Sequence, residues 1–273
     1  MLEDYQARFI AAVSTHIGRN WLSRRPNIRL LDMGCDCSGR QLREISRLIR
    51  GEAIGINIPD SFPSKDAIET AGPGVKLVRM DGMNLQFPDA SFDMVISANV
   101  IEHVPDPVRF IHEAARVLKP DGICYMEATP IWTGPRGHHI MECMIKENCP
   151  EETAFRDDGT VIPDWSHLHL TQEELAEQIS SKLQPKTVQY ILRYLFESND
   201  LNKAPWCTIR TAFKTAFHYP SLHQHSLPEE HANLLHNEIN TDNLVFGFHA
   251  ICRHKSQNWL QRHVFWRLRS AGL

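Results

Sequence analysis

The chain lacks a membrane-crossing run: none of its 273 residues belongs to a stretch near the ~20 consecutive apolar residues that span a bilayer. No membrane insertion is expected. Met1-Leu2-Glu3-Asp4 is acidic, with no basic segment leading into an apolar run. The expectation is no signal peptide and a cytoplasmic location. There is no basic excess either: Lys plus Arg total 29 against 33 for Asp plus Glu, a net charge of −4. That argues against a nucleic-acid partner. The seven cysteines, Cys35, Cys37, Cys124, Cys143, Cys149, Cys207 and Cys252, are odd in number and irregular in spacing. They read as reduced thiols, not a disulfide framework. Internal repeats and low-complexity tracts are absent.

What is present is ordinary globular material, 42% hydrophobic and 23% charged. Whole-chain disorder, collagen and coiled coil are excluded. The length suits one large domain, or one domain with an elaborated insert. Residues 5–22 carry Phe9, Ile10, Val13, Ile17, Trp21 and Leu22 at helical spacing. Short apolar runs then alternate with helical segments. Strands are expected at 28–33, 53–57, 75–80, 92–98 and 123–128, and helices at 40–50 and 107–118. Lys119-Pro120-Asp121-Gly122 is read as a turn. Such alternation implies a parallel sheet covered on both faces with right-handed crossovers.

The rhythm breaks after residue 130. Thr171-Gln172-Glu173-Glu174 is a capping box opening a helix to about 183, and a second helix is expected from Pro185. Asn199-Asp200-Leu201-Asn202 is a break. Helices are expected at 206–216 and 228–239 and a strand at 244–252, with 217–222 open between strand and loop. From 253 on the tail is basic, with Trp259, Leu260, Val264, Phe265 and Leu268 at helical spacing. It reads as a packed or frayed terminal helix, with anionic membrane or RNA contact as the alternative. The division expected is 1–130 core, 131–203 insert, 204–255 remainder of the core and 256–273 tail.

Leu31-Asp32-Met33-Gly34-Cys35-Asp36-Cys37-Ser38-Gly39 is the strongest chemical signal. A buried strand ends in an acid, a glycine turn follows, and a helix begins. Ligands of open parallel sheets sit beyond the strands' carboxyl ends. A dinucleotide fingerprint needs a glycine where Asp36 stands. An acid there repels phosphate and favours a cationic cofactor.

Together with four further stretches, this segment resembles the class I S-adenosylmethionine-dependent methyltransferases, in the group that acts on small molecules. Leu31-Asp32-Met33-Gly34-Cys35 is similar to the first motif. Asn57 stands where the family binds the ribose, and Asp81-Gly82 where it reads the adenine amine. Phe87-Pro88-Asp89-Ala90-Ser91-Phe92-Asp93 and Ala98-Asn99-Val100-Ile101-Glu102-His103-Val104 resemble the fourth-strand motif. Leu118-Lys119-Pro120-Asp121-Gly122 resembles the turn before the fifth. The resemblance implies a doubly wound Rossmann-like α/β sheet with a mainly helical insert after the fifth strand. It also implies S-adenosylmethionine as cofactor, held by Asp32, Gly34, Cys35, Asp36, Asn57, Ile58, Asp81, Gly82, Met83, Ala98 and His103. His103 stays open between a pocket role and a packing or capping role. Asn57 departs from the usual acid, though an amide still hydrogen-bonds a ribose diol.

Beyond the shared core come Trp132-Thr133-Gly134-Pro135-Arg136-Gly137-His138-His139 and Asp164-Trp165-Ser166-His167-Leu168-His169. Their histidines and tryptophans suggest a substrate pocket or lid. His138, His139 and His167 are the candidate general bases, because imidazole can take a hydroxyl proton. Packing is the competing reading. Metal binding by His138, His139, Glu142, His167 or His169 has no recognised ligand spacing, and no metal is expected. The expected activity is O-methylation of a small acceptor, such as a sugar or phenolic hydroxyl. The alternatives are another reaction on this fold, such as a cyclisation, or a non-catalytic partner-binding protein.

Overall fold

The computed structural model describes residues 4–17, 25–49, 51–58, 69–72, 74–156, 159–227 and 245–254. In chain order the first elements are α1 (Asp4–Ile17), β1 (Ile28–Met33), α2 (Arg40–Ser46), β2 (Gly51–Asn57), β3 (Glu69–Gly72), β4 (Val75–Arg79), β5 (Phe92–Ala98), α3 (Pro107–Val117) and β6 (Leu118–Ala128). They are followed by α4 (Glu142–Asn148), the single turn α5 (Ser166–His169), α6 (Gln172–Ser180), α7 (Pro185–Leu192) with a π-helical turn at Arg193–Glu197, α8 (Trp206–Ala216), β7 (Tyr219–Ser226) and β8 (Val245–Arg253).

The sheet order is β3-β4-β2-β1-β5-β6-β8-β7. Neighbours from β4 to β6 run parallel, whereas β3, β8 and β7 pair antiparallel. Chain order reverses direction between β1 and β5. That switch point leaves a crevice at the strands' carboxyl ends.

Sequence explains the central strands directly. Five of the six β1 residues are buried, which only a near-continuous apolar run tolerates with both faces covered. On one face Met33, Ile56, Phe110, Ala114, Phe213 and Phe248 pack with α3 and α8. On the other, Phe9, Val13, Leu42, Ile45, Ile96 and Tyr125 pack with α1 and α2. The fold is therefore the doubly wound α/β sheet expected. Asp106 caps α3, accepting from Arg109 N at 2.9 Å, and Pro107 fills its first turn. The capping box forms as read: Thr171 and Glu174 bond reciprocally at the start of α6. Segment 131–203 contains a core of its own, with Ile140, Ile145, Ile162, Leu175, Ile179, Ile191 and Leu195.

Several boundaries differ from expectation. The turn read at 119–122 lies within β6 as a bulge: Leu118 pairs with Phe92 and Ile123 with Met94, and Asp121 between them has φ of 66°. β3 was not anticipated. It is a four-residue antiparallel edge whose partner β4 supplies all its pairing, and so short a run gives no periodic signal. The expected fifth strand is therefore β6. The ambiguous 217–222 segment is strand from Tyr219, aligned by pairing with β8. Residues 18–22 of the first expected helix, the helix at 228–239 and the tail from 256 lie outside the described residues.

Candidate active site

Segments at four strand ends converge on one cleft of about 190 Å³. Gly34 follows β1, Asn57 ends β2 and Ile58 follows it, Asp81, Gly82 and Met83 follow β4, and Val100 and His103 follow β5. Of the eleven residues expected to hold the cofactor, these seven line it: Gly34, Asn57, Ile58, Asp81, Gly82, Met83 and His103. Asp32, Cys35, Asp36 and Ala98 stand beside it without lining it.

Gly34 has φ of +89°, and a Cβ there would meet Val100 Cγ2 at 2.2 Å. Only glycine lets this turn close against the β5 turn. The two loop amides of Gly34 and Cys35 donate to Ile56 O at 2.9 and 3.0 Å. Asp32 is 1% exposed at the end of β1, and its Oδ2 has no partner among the described residues. Burial pushes its carboxyl up to about 7, opposed by the Cys35 thiol and assisted by the Asp36 charge. Asp36 itself accepts from Ser38 N at 2.9 Å, Arg40 N at 3.4 Å and Gln41 N at 3.3 Å. It thus caps the start of α2, and its position in the loop is explained by that role.

Asn57 spends its amide on the same loop. Nδ2 donates to Cys35 O at 2.9 Å, and Oδ1 accepts from Ile58 N at 2.8 Å. An aspartate cannot make the first bond, which gives the departure from the usual acid a physical reason. Asp81 Oδ1 accepts from Met83 N at 2.8 Å and shapes the β4 turn. Ala98 ends β5, and the next residue, Asn99, has φ of 51° with Oδ1 accepting from Thr129 N at 3.1 Å.

The candidate bases stand in two separate ring pairs. His103 and His139 meet edge-to-face at 5.1 Å, and His138 and His167 at 5.2 Å. His138 is fully buried; its Nδ1 accepts from Ile140 N at 2.9 Å and its Nε2 is unpartnered. His167 Nε2 donates to Trp132 O at 2.7 Å, and His139 Nε2 donates to Pro130 O at 2.9 Å. Desolvation drives His138 down to about 2 and His139 and His167 down to about 4. All three are neutral at pH 7, and so depressed an imidazole is a poor proton acceptor. Among the described residues no three His, Cys, Asp or Glu side chains are arranged to hold a metal.

Glu102 was missed by sequence reasoning as a separate group. It is 4% exposed, its Oε2 is unpartnered, and burial pushes it up to about 8. Asn202 was read only as a break. It clamps the β5 turn: Nδ2 donates to Ile101 O at 2.5 Å and Val104 O at 2.9 Å, and its N–H to Glu102 O at 3.0 Å. No local pattern announces a bond across about a hundred residues.

Residues 31–126 match the family model described as a methyltransferase domain. Through these residues the chain is similar to methyltransferases. An uncharacterized methyltransferase of Mycobacterium sp. (strain JLS) is 45% identical over 75 residues, covering 26% of this chain and 29% of the relative. One from Mycobacterium leprae (strain TN) is 34% identical over 152 residues, covering 51% and 54%. The chain thus spans about a third to a half of the curated relatives it matches. An N-methyltransferase 2 of Haemonchus contortus, solved with phosphomonomethylethanolamine and S-adenosylhomocysteine, shares the fold with a TM-score of 0.50 at 13% identity, over 92% of this chain and 53% of that one. Among the described residues no helix is long and apolar enough to cross a membrane.

The residues present fit S-adenosylmethionine. The unpartnered buried Asp32 oxygen stands at the end of β1, and the Gly34 turn leaves no room for any side chain. A carboxylate suits the cofactor's ammonium group better than any neutral group does.

Proposed function

We propose that this protein is an S-adenosylmethionine-dependent methyltransferase that transfers a methyl group to an oxygen of a small acceptor, such as a sugar or phenolic hydroxyl. The observation that carries the reading is the cleft itself, where residues from four strand ends meet beside an imidazole-rich segment. Asp32 receives the ammonium group, and Asp81, with Gly82 and Met83, takes the adenine end. Ile58 and Asn57 border the ribose, with Asn57 acting through the loop it holds. When bound, the cofactor would supply an electrophilic methyl carbon whose sulfonium sulfur keeps the C–S electron pair, and the acceptor's O–H proton would pass to a base of the protein. The protein contributes alignment and a histidine to receive that proton. Segment 131–203 shapes the acceptor side, with Trp132 and His167 packed edge-to-face at 4.5 Å. The reading is tested by incubating the chain with methyl-tritiated S-adenosylmethionine and a panel of phenols, sugars and amines. Label in alkali-stable ethers is the expected result. Label confined to amines overturns the oxygen assignment.

A further inference from the structure

His103 differs from the other histidines of the site in what its surroundings leave free. It is exposed and lines the cofactor cleft. Its Nδ1 lies 3.0 Å from Asp200 O. A carbonyl only accepts, so the neutral ring carries its proton on Nδ1 and leaves the Nε2 lone pair bare. This is the base-and-orienter arrangement of general-base sites, with a backbone carbonyl as the orienter. His138 has the opposite tautomer, with its bare nitrogen spent on Ile140 N. His139 and His167 keep a bare Nδ1, but both rings sit back from the cleft lining.

The orienter is held from outside the cofactor core. Asp200 precedes Asn202 by two residues, and Asn202 makes three bonds to the 101–104 turn. Segment 198–204 thus fixes the turn carrying His103 and presents the carbonyl that sets its tautomer. His139 closes the remaining side by ring contact. The recorded contacts of the His103 ring are thus the His139 ring and the backbone carbonyl of Asp200.

We propose that His103 is the general base of the methyl transfer, and that Asp200 and Asn202 are its positioning residues. His103 Nε2 takes the acceptor's hydroxyl proton as the oxygen–carbon bond forms, and an exposed ring then returns it to solvent. This rests on the function proposed above and replaces the buried histidines as the proton acceptor.

The test uses the full chain with ¹⁵N-histidine, read by long-range ¹H–¹⁵N spectra at pH 7.5. The His103 signals are assigned by their loss in His103→Gln. The wild type is expected to hold the proton on Nδ1. Asn202→Ala is expected to relax that preference by roughly three- to tenfold, the worth of one or two modest hydrogen bonds. S-adenosylmethionine should move the bare Nε2 resonance further than S-adenosylhomocysteine, because only the former carries the methyl group and the sulfonium charge. A proton on Nε2, or equal shifts with both ligands, overturns the inference and leaves the proposed function standing. Failure of both ligands to bind overturns the proposed function and this inference with it.

Discussion

The cofactor core and segment 131–203 differ in whether their polar groups reach a cleft. In the core, Gly34, Asp81 and His103 sit just past strand ends and line a cleft, while Asp32 and Glu102 are buried beside it, each with a carboxyl oxygen unpartnered among the described residues. In the later segment the comparable groups are turned inward. His138 is fully buried and His167 nearly so, and both retain an unpartnered ring nitrogen. Strand ends of a parallel sheet must release the chain into a turn, so the residues just beyond them reach a crevice. A segment with its own small core closes around whatever it carries. Residue type alone therefore did not distinguish working histidines from packed ones.

The sharpest break in that comparison is at glycine. Gly34→Ala forces a side chain into left-handed backbone and onto Val100. Strain and overpacking together should cost about 2–5 kcal/mol and abolish S-adenosylhomocysteine binding, as denaturant melts and calorimetry will show. Gly137→Ala places a Cβ 2.3 Å from Trp132 O. It should destabilise the later segment comparably but leave cofactor affinity little changed.

Asp32 comes next. Its folded pKa of about 7 lies above the ordinary 3.8, so the folded apo protein binds the extra proton between those values. Stability from this group is present at low pH and is lost as pH rises from about 4 to about 7, on the order of a few kcal/mol. Asp32→Asn should flatten that slope. S-adenosylhomocysteine affinity should rise through pH 7 in the wild type, as the carboxylate forms, and fall about 10- to 100-fold in the variant.

Glu152 tests the other region. Its Oε1 accepts from Thr153 N and Ala154 N at 2.9 Å, and its Oε2 from Gln184 N at 2.8 Å just ahead of α7. These bonds hold its carboxyl below the ordinary 4.5 despite burial. This stability is therefore present above about pH 4.5 and lost as pH falls below it. Glu152→Gln should lower stability by about 1–3 kcal/mol without changing cofactor binding. The smallest effect is expected at Asn57. Asn57→Asp sets a carboxylate against Cys35 O and removes a bond, so cofactor affinity should fall by about 1 kcal/mol. A gain in affinity would show instead that the ribose interaction dominates.

Sequence disclosed the core well because buried parallel strands leave continuous apolar runs, such as Ile28–Met33, and because each ends in a turn with a distinctive residue. The capping box at Thr171 and the Pro107 start were legible for the same reason: they are local. Asp36 was legible as an acid but not as a helix cap, since the loop path decides which amides it reaches. The Asn202 clamp, the His103–Asp200 bond and the burial of His138 depend on contacts between distant segments. Spacing carries no trace of them. β3 escaped notice because four edge residues are too few for a period.

The central claim is that the cleft at the carboxyl ends of β1, β2, β4 and β5 is an S-adenosylmethionine site. Calorimetry with S-adenosylhomocysteine, on the wild type and on Asp81→Ala, tests it most directly. The account predicts one site per chain and a loss of roughly 1–3 kcal/mol in the variant. No binding to the wild type at millimolar ligand, or the same affinity in both proteins, would contradict it.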